Sequence, residues 1–308
     1  MKTPVRAALA GALACGVLTT ALVAARHGDP ADPAPPRGPY VALGDSYTAG
    51  PEIPDRTGTP AGCDRSDRNY PALVARRLGL PAGDFRDMSC TGATLADLSA
   101  PQSTDRGTNP AQLSALDTRT GLVTLGMGGN DIGFASLVRT CVKAGVFTFA
   151  LDGLRAGTGD AAPCRARYVS DGTDEIGQRI AAADERLAHA LAEVRRRAPK
   201  ARVYVVGYPA ILPSRTTGCA AEMGLTAGDI TYLHDKEQQL NTMLRKRAGK
   251  AGAGYVDTYT PSVGRDACAD RRVRWVEPLV PLAPAASVHP NARGEQGMAD
   301  AVLKRLGV

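Results

Sequence analysis

Ser46 is the side chain of this sequence best placed to act as a nucleophile. It follows an apolar run at residues 41–43, within the segment Gly44-Asp45-Ser46, and Gly50 comes shortly after it. A serine in a tight turn between a buried strand and a helix can expose its hydroxyl, and the N–H groups of such a turn can face an anion. The turn alone fits equally well with an ordinary helix cap by Asp45 or Ser46.

His289 is the histidine that lies where a general base is needed. It occupies the sequence VHPN, in a loop just before the final helix, where the proline fixes the turn that presents the imidazole. A role in the loop that caps this helix is the alternative. Of the other histidines, His27 precedes the folded part, and we expect His189 and His234 to be solvated on surface helices.

Two further strand ends carry groups that can stabilise a negative charge. Asn130 ends the glycine-dense turn LGMGGN, and Gly92 offers a backbone N–H in the segment SCTGA. Glycines let the backbone approach a ligand closely. Neither the phosphate-loop pattern nor the dinucleotide-binding fingerprint is present, which disfavours nucleotide binding.

The elements that must position these residues follow from hydrophobic periodicity. Short apolar runs alternate with amphipathic stretches, which predicts an α/β fold with a doubly wound, mostly parallel five-stranded sheet and helices on both faces. Such a sheet places ligands at the carboxyl ends of its strands, so we expect Ser46, Gly92 and Asn130 to converge. The predicted strands are residues 40–43, 85–88, 122–125, 202–207 and 255–257, and the predicted helices lie around residues 176–194 and 230–244.

The N-terminal residues have the pattern of an export signal and do not belong to the predicted folded domain. A short basic start precedes an apolar run at residues 7–25, which indicates a secretory signal peptide over residues 1–25. A membrane anchor is the alternative, because this run is just long enough to span a bilayer. Residues 26–39 are rich in proline and predict an extended linker. We therefore expect a secreted protein with one domain over residues 40–308.

The cysteines predict disulfide bonds. Removal of Cys15 with the signal peptide leaves six, and an even number in a secreted chain is typical of a disulfide framework. Six cysteines allow 15 pairings, and the sequence does not choose among them. Sequential pairing closes three moderate loops, so we favour the bonds Cys63–Cys90, Cys141–Cys164 and Cys219–Cys268. No pair has CxxC spacing and no histidine lies close to a cysteine in the sequence, so no metal is expected.

Composition limits the remaining classes of function. Hydrophobic residues make up 44% and charged residues 22%, which supplies a full core and argues against disorder. The net charge of +6 is spread along the chain, and aromatic residues amount to only 5%. A surface that stacks bases or sugars on aromatic rings is therefore disfavoured, and we expect no nucleic-acid partner.

Four short blocks taken together resemble the GDSL, or SGNH, hydrolase superfamily, in its secreted bacterial lipase and esterase branch. They are GDS at residues 44–46, Gly92, GGND at residues 128–131 and HPN at residues 289–291, and they occur in the order of the family. The segment RWVEP before HPN is similar as well. The resemblance covers residue 40 to the C-terminus and implies the SGNH form of the flavodoxin-like, three-layer sandwich.

The resemblance implies a carboxylic-ester hydrolase that acts on acyl glycerols, phospholipids or simple acyl esters. Ser46 would form an acyl-enzyme, His289 would be the base, and an oxyanion hole would come from Ser46, Gly92 and Asn130. No cofactor is needed, and we expect a monomer that contacts lipid surfaces transiently. A carbohydrate deacetylase of the acetylxylan type is an alternative that the scarce aromatic residues weaken. An inactive secreted binding module is another, and the presence of all four residues argues against it.

One element of the superfamily pattern is missing. The pattern commonly has an aspartate three residues before the histidine, and this sequence has Ala286 there. The nearest upstream acid is Glu277, across a proline-rich stretch. Since a backbone carbonyl can orient an imidazole, we predict a Ser46–His289 dyad whose ring is oriented by the carbonyl of Ala286 or Ser287. A distant carboxylate is the alternative.

The acyl pocket is expected to be lined by loops such as residues 134–149. Within and beside this stretch, Val146, Phe147, Phe149 and Leu151 suit either an apolar pocket wall or the core. The sequence does not decide between these two interpretations, and it does not give the preferred length of the acyl chain.

Overall fold

A parallel sheet forms the centre of the protein. The computed structural model describes residues 38–152, 161–214 and 223–308. In these ranges, five strands pair in parallel in the order β2-β1-β5-β8-β9, and two short antiparallel hairpins, β3-β4 and β6-β7, lie outside this sheet. The strands are β1 (Tyr40–Gly44), β2 (Phe85–Asp87), β3 (Gln102–Thr104), β4 (Gly107–Asn109), β5 (Leu122–Gly126), β6 (Val169–Ser170), β7 (Thr173–Asp174), β8 (Arg202–Val206) and β9 (Gly254–Val256).

Helices cover both faces of the sheet. They are α1 (Ser46–Ala49), α2 (Tyr70–Arg77), α3 (Phe134–Asp152), α4 (Pro163–Tyr168), α5 (Glu175–Arg197), α6 (Ala227–Lys250) and α7 (Ala292–Leu306). Short 3₁₀ turns occur at Ala61–Cys63, Ala82–Asp84, Leu95–Leu98, Gln112–Ala115 and Thr260–Ser262. The predicted helices around residues 176–194 and 230–244 correspond to α5 and α6. Both begin where a side chain accepts a bond from the first turn, Asp174 for α5 and Thr226 for α6.

Successive side chains of each strand enter two different cores, because side chains alternate across a sheet. Val41 and Leu43 of β1 pack in the core that contains the apolar residues of α5 and α6. Tyr40 and Ala42 face the other side, where the core contains residues of α2 and α7. The result is a three-layer sandwich with the strand order of a flavodoxin-like fold, which confirms the predicted fold class.

Three details differ from the sequence-based expectations. Residues 134–149 form most of helix α3 rather than a loop. Val146, Phe147 and Phe149 are exposed on this helix, with Phe147 at 66% of its full accessibility, so they belong neither to the core nor to a pocket wall. The side chain of Leu151 lies outside the described residues. His189 is exposed as predicted, but His234 is buried on the inner face of α6, where its Nδ1 lies 3.2 Å from the carbonyl oxygen of Leu212.

Two disulfide bonds join the pairs favoured from the sequence, Cys63–Cys90 and Cys141–Cys164. The third predicted bond includes Cys219, which lies outside the described residues, and it stays a prediction. The proposed signal peptide and nearly all of the linker lie outside them too. Within the described ranges, no helix combines the length and the apolar character that crossing a bilayer requires.

Candidate active site

Ser46 begins helix α1 directly after the carboxyl end of β1. The turn is tight: a side chain at Gly44 would place its Cβ 2.1 Å from Oγ1 of Thr48 and 2.8 Å from the carbonyl oxygen of Gly126. Asp45 caps the helix by accepting the N–H of Tyr47, and Gly50 ends it after one turn in the left-handed conformation. These constraints force the serine to the edge of the sheet, where it lines a cavity.

His289 meets Ser46 across this edge. Its Nε2 lies 2.8 Å from Oγ of Ser46, and its Nδ1 lies 2.7 Å from the carbonyl oxygen of Ser287. Because a carbonyl only accepts, Nδ1 carries the proton and Nε2 is left free to accept the serine O–H. Of the two carbonyls predicted to orient the ring, Ser287 is the one in contact, whereas the Ala286 carbonyl accepts the backbone N–H of His289.

Burial lowers the pKa of His289, and the bond to Ser287 only partly opposes this effect. A lowered pKa keeps the imidazole neutral at neutral pH, which is the form that can take a proton. The serine hydroxyl and the imidazole can therefore exchange a proton along one short hydrogen bond.

Glu277 lies near the histidine in the fold but does not contact its imidazole. Its carboxylate accepts the N–H groups of Leu282 and Ala283, and it also accepts the side-chain amide of Asn291. This buried acid therefore holds the loop that carries His289. In the described part of the chain, no three His, Cys, Asp or Glu side chains are grouped so that they could hold a metal ion.

Asn130 and Gly92 come from the neighbouring strand ends. Asn130 follows β5 and lines the same cavity as Ser46, and its side-chain amide donates one hydrogen to the carbonyl of Ala93 at 2.9 Å. Gly92, adjacent to Ala93, is exposed with a φ of +80°, and it lies outside the cavity lining. Among the described residues, the N–H groups of Gly92 and Ser46 have no acceptor. They are thus available to a ligand.

A buried acid beside the serine was not anticipated from the sequence. Asp45 accepts the phenol O–H of Tyr208 at 2.5 Å, and that phenol oxygen accepts the N–H of Gly129 at 2.8 Å. Burial raises the pKa of Asp45 to about 7, although its hydrogen bonds, that from Tyr208 foremost, act in the opposite direction. Tyr208 lies in the segment after β8, and no motif of the sequence marks it. The network ties the serine turn to the loop of Asn130.

The cavity has a volume of about 390 Å³ and a largely apolar wall. Its lining includes residues from the first two turns of α3 and from the loop before His289. The apolar lining residues are Phe134, Ala135, Val138, Ile211, Leu240, Leu279 and Val288. Such a lining suits a hydrophobic group next to the serine.

Comparison with known proteins places the chain in a family. Residues 42–296 match the model of the GDSL-like lipase/acylhydrolase family. Lipase 2 of Streptomyces coelicolor is 39% identical over 303 residues, which cover 98% of this chain and 95% of that protein. Lipase 1 of the same organism is 31% identical over 277 residues, which cover 90% of this chain and 89% of that protein.

Two solved structures are similar as well. Phospholipase A1 from Streptomyces albidoflavus NA297 superposes with a TM-score of 0.69 at 29% identity, covering 87% of this chain and 98% of that one. An extracellular lipase from Streptomyces rimosus gives a TM-score of 0.66 at 26% identity, covering 87% and 99%. The extent of these matches shows that the chain belongs to the GDSL-like lipase/acylhydrolase family and is a lipase or esterase.

Proposed function

We propose that this protein is a secreted serine esterase that cleaves acyl esters of lipids through an acyl-enzyme at Ser46. The observation that carries the proposal is the continuous hydrogen-bond path from Ser46 through His289 to the Ser287 carbonyl, at 2.8 and 2.7 Å. A nucleophile joined to a base, with the base oriented by a third group, is the arrangement that nucleophilic acyl transfer requires.

In the proposed reaction, Oγ of Ser46 attacks the acyl carbon while Nε2 of His289 takes the serine proton. The carbonyl oxygen becomes negative and accepts hydrogen bonds from the N–H of Ser46, the N–H of Gly92 and the amide of Asn130. Collapse of the intermediate expels the alcohol, which receives the proton from His289. Water then attacks the acyl-serine with the same histidine as base and releases the carboxylic acid.

The substrate class follows from the wall of the cavity. The apolar residues of α3 and of the loop before His289 favour an acyl chain over a polar sugar. Two similar proteins are a phospholipase A1 and a lipase by their names, which is consistent with a lipid substrate. We therefore place acyl glycerols and phospholipids ahead of acetylated carbohydrate. We further propose that a monomer acts, with transient contact to the lipid surface.

Secretion is proposed on the N-terminal sequence and on the disulfide bonds. Disulfides persist in oxidising compartments outside the cytoplasm, and two are present among the described residues. The similar lipase from Streptomyces rimosus is described as extracellular. Mass spectrometry of the protein in culture medium would check this, and we expect a mature chain that begins after residue 25.

Two alanine variants test the catalytic proposal. We expect Ser46→Ala and His289→Ala each to lower kcat at least about a thousandfold on p-nitrophenyl esters, because the two residues act as one unit. Ser136→Ala, an exposed serine of α3, and His189→Ala, an exposed histidine of α5, are the matched controls and should retain full activity. A folded Ser46→Ala protein that keeps a tenth of the activity would exclude the acyl-serine mechanism.

The substrate class is tested with the wild-type protein. Rates on p-nitrophenyl acetate, butyrate, octanoate and palmitate are compared with rates on phosphatidylcholine and on acetylated xylan. We expect the longer acyl esters and the phospholipid to be preferred. A strong preference for acetylated xylan would replace the lipid proposal with a carbohydrate deacetylase.

A further inference from the structure

Tyr47, the residue after the candidate nucleophile, contacts the loop of His289 in two ways. Its ring lies against the imidazole with the two centroids 4.9 Å apart. Its phenol O–H donates to the carbonyl of Val288 at 2.5 Å. A second aromatic side chain, Tyr208, packs edge-on against the Tyr47 ring with centroids 5.1 Å apart, which fixes the ring position. Tyr47 is thus held in place and touches both the ring and the backbone of the base.

The backbone that Tyr47 contacts is in an unfavourable conformation. Val288 has a φ of +60°, in the left-handed region that a β-branched residue rarely adopts. The peptide before it is fixed at both ends, because the Val288 N–H donates to the Glu277 carbonyl and the Ser287 carbonyl accepts Nδ1–H of His289. The peptide after it is held through the Val288 carbonyl, which accepts the Tyr47 phenol. Such a conformation persists only where its surroundings impose it.

We propose that Tyr47 is the positioning residue of His289, and that it supplies the orientation that a carboxylate would otherwise provide. The phenol keeps Val288 in its strained conformation, which aims the Ser287 carbonyl at Nδ1, and the ring limits rotation of the imidazole. The inference rests on the proposed Ser46–His289 mechanism. Ser46 and Tyr47 are adjacent, so one short helix carries both the nucleophile and the support of its base.

The phenol of Tyr47 stays protonated and can keep donating. Burial raises its pKa, and the acids Glu237 and Asp45 raise it further. Besides Tyr47 and His289, the titratable or charged side chains in the wall of this cavity are Asp45, Arg139, Tyr208 and Glu237. A titration of Tyr47 itself therefore does not interfere with measurements near neutral pH.

Tyr47→Phe tests the role of the phenol and keeps the ring. We expect kcat to fall about 3- to 10-fold, the size of effect that one lost hydrogen bond to a carbonyl produces, with KM within about twofold of wild type. Weakening of the Ser287 bond also lowers the pKa of His289, so the acid limb of the kcat/KM profile should move to lower pH. Tyr47→Leu, which lacks the ring as well, should lose more than Tyr47→Phe.

Tyr40→Phe is the matched control. Tyr40 is a buried tyrosine whose hydroxyl bonds to Thr124 at the opposite end of β1 from the site. Loss of its hydroxyl should lower the melting temperature without changing the pH profile. If Tyr47→Phe behaves like Tyr40→Phe, with lower stability and an unshifted acid limb, the positioning role is refuted.

A spectroscopic measurement separates this inference from the mechanism on which it rests. In protein with ¹⁵N-labelled histidine, His289 should give the Nδ1–H tautomer in wild type and in Ser46→Ala, and a measurable fraction of Nε2–H in Tyr47→Phe. The His289→Ala protein identifies the resonance among the four histidines. An unchanged tautomer in Tyr47→Phe refutes the positioning role even if Ser46 is the nucleophile. Full activity of Ser46→Ala would instead refute the mechanism.

Discussion

The loops that bring His289 and Asn130 to the serine are held by different kinds of contact. The His289 loop, residues 276–290, orients its imidazole through one backbone carbonyl, that of the exposed residue Ser287. The Asn130 loop, residues 127–133, is anchored by buried polar side chains: Asp45 accepts the Tyr208 phenol, whose oxygen accepts the N–H of Gly129. Asp45, the acid next to the serine in the sequence, therefore supports the turn and the Asn130 loop, and among the described residues no carboxylate contacts the imidazole.

The difference has a physical reason. The Asn130 loop is rich in glycine, with Gly128 at a φ of +133°, and a glycine has no side chain that could hold the backbone. Polar contacts with residues outside the loop therefore fix its position. Besides Tyr208 on Gly129, Asp131 accepts the N–H of Leu95 and pairs with Arg186. The His289 loop contains Glu277, whose buried carboxylate accepts N–H groups of the same loop, while the imidazole itself bonds to the Ser287 carbonyl and lies against the ring of Tyr47.

The largest effect is expected when the side-chain amide of Asn130, the proposed oxyanion donor, is removed. We expect Asn130→Ala to lower kcat by at least about a hundredfold, the usual effect of losing one oxyanion donor, with little change in KM. Stability should change only modestly, because the amide makes a single bond to Ala93. Steady-state kinetics and thermal denaturation measure both effects. A loss below about tenfold would remove Asn130 from the proposed oxyanion hole.

Removal of the Tyr208 phenol tests the anchor of the same loop. Tyr208→Phe leaves the N–H of Gly129 without its acceptor and takes a donor from Asp45. We expect a loss of about 1–3 kcal/mol in the free energy of unfolding and a fall in kcat of about tenfold. Tyr204→Phe is the control, since the Tyr204 hydroxyl bonds to Arg202 in β8 and has no contact with the site. Equal kinetics for the two variants would contradict the anchoring role.

The same variant should change the pH dependence of stability. Asp45 has a pKa of about 7 in the folded protein against an ordinary value of 3.8, so the folded state binds its proton more tightly. This contribution to stability is complete below pH 3.8 and is lost as the pH rises to about 7. The Tyr208 bond lowers the pKa of Asp45. In Tyr208→Phe, the decline in stability should therefore extend above pH 7, which urea denaturation at a series of pH values would detect.

The fold could be predicted from the sequence because strand periodicity and helix periodicity are local. The placement of Ser46 and Asn130 at one edge could be predicted as well, because each comes soon after a strand and parallel strands end at that edge. Gly92, which follows β2, lies outside the cavity lining, and its role stays a prediction. The Ser287 carbonyl was one of two options, since the choice depends on the positive φ of Val288. No sequence rule assigns that conformation to a valine.

The roles of Tyr208 and Tyr47 could not be predicted from the sequence, for a different reason. The contact of Tyr208 with Asp45 joins residues 163 positions apart, and the contact of Tyr47 with Val288 spans 241. Neither tyrosine lies in a pattern that separates it from an ordinary core aromatic. The one available signal was a tyrosine directly after the proposed nucleophile, and it can be interpreted only once the structure shows the His289 loop packed against its ring.

Substitution of Glu277 tests whether a buried carboxylate of the His289 loop affects the rate, and its expected effect on the rate is the smallest of these variants. Oε1 of Glu277 accepts the amide of Asn291 at 2.6 Å, and its Oε2 accepts the N–H of Leu282 at 2.8 Å. In Glu277→Gln, one of these donors must face an amide NH₂. Asn291 cannot turn over to relieve this, because its own oxygen caps helix α7. We expect the free energy of unfolding to fall by about 1–3 kcal/mol.

The rate should nevertheless stay within about threefold of wild type in Glu277→Gln, because the carboxylate makes no contact with the imidazole and kcat depends on groups that do. Asp300→Asn, an exposed acid of α7 that bonds to Gln296, is the control and should change neither stability nor rate. Kinetics at a temperature where both variants are folded separate the two effects. A loss of several hundredfold in folded Glu277→Gln would mean that Glu277 acts on His289 after all, and that the orientation of the imidazole also depends on a buried carboxylate.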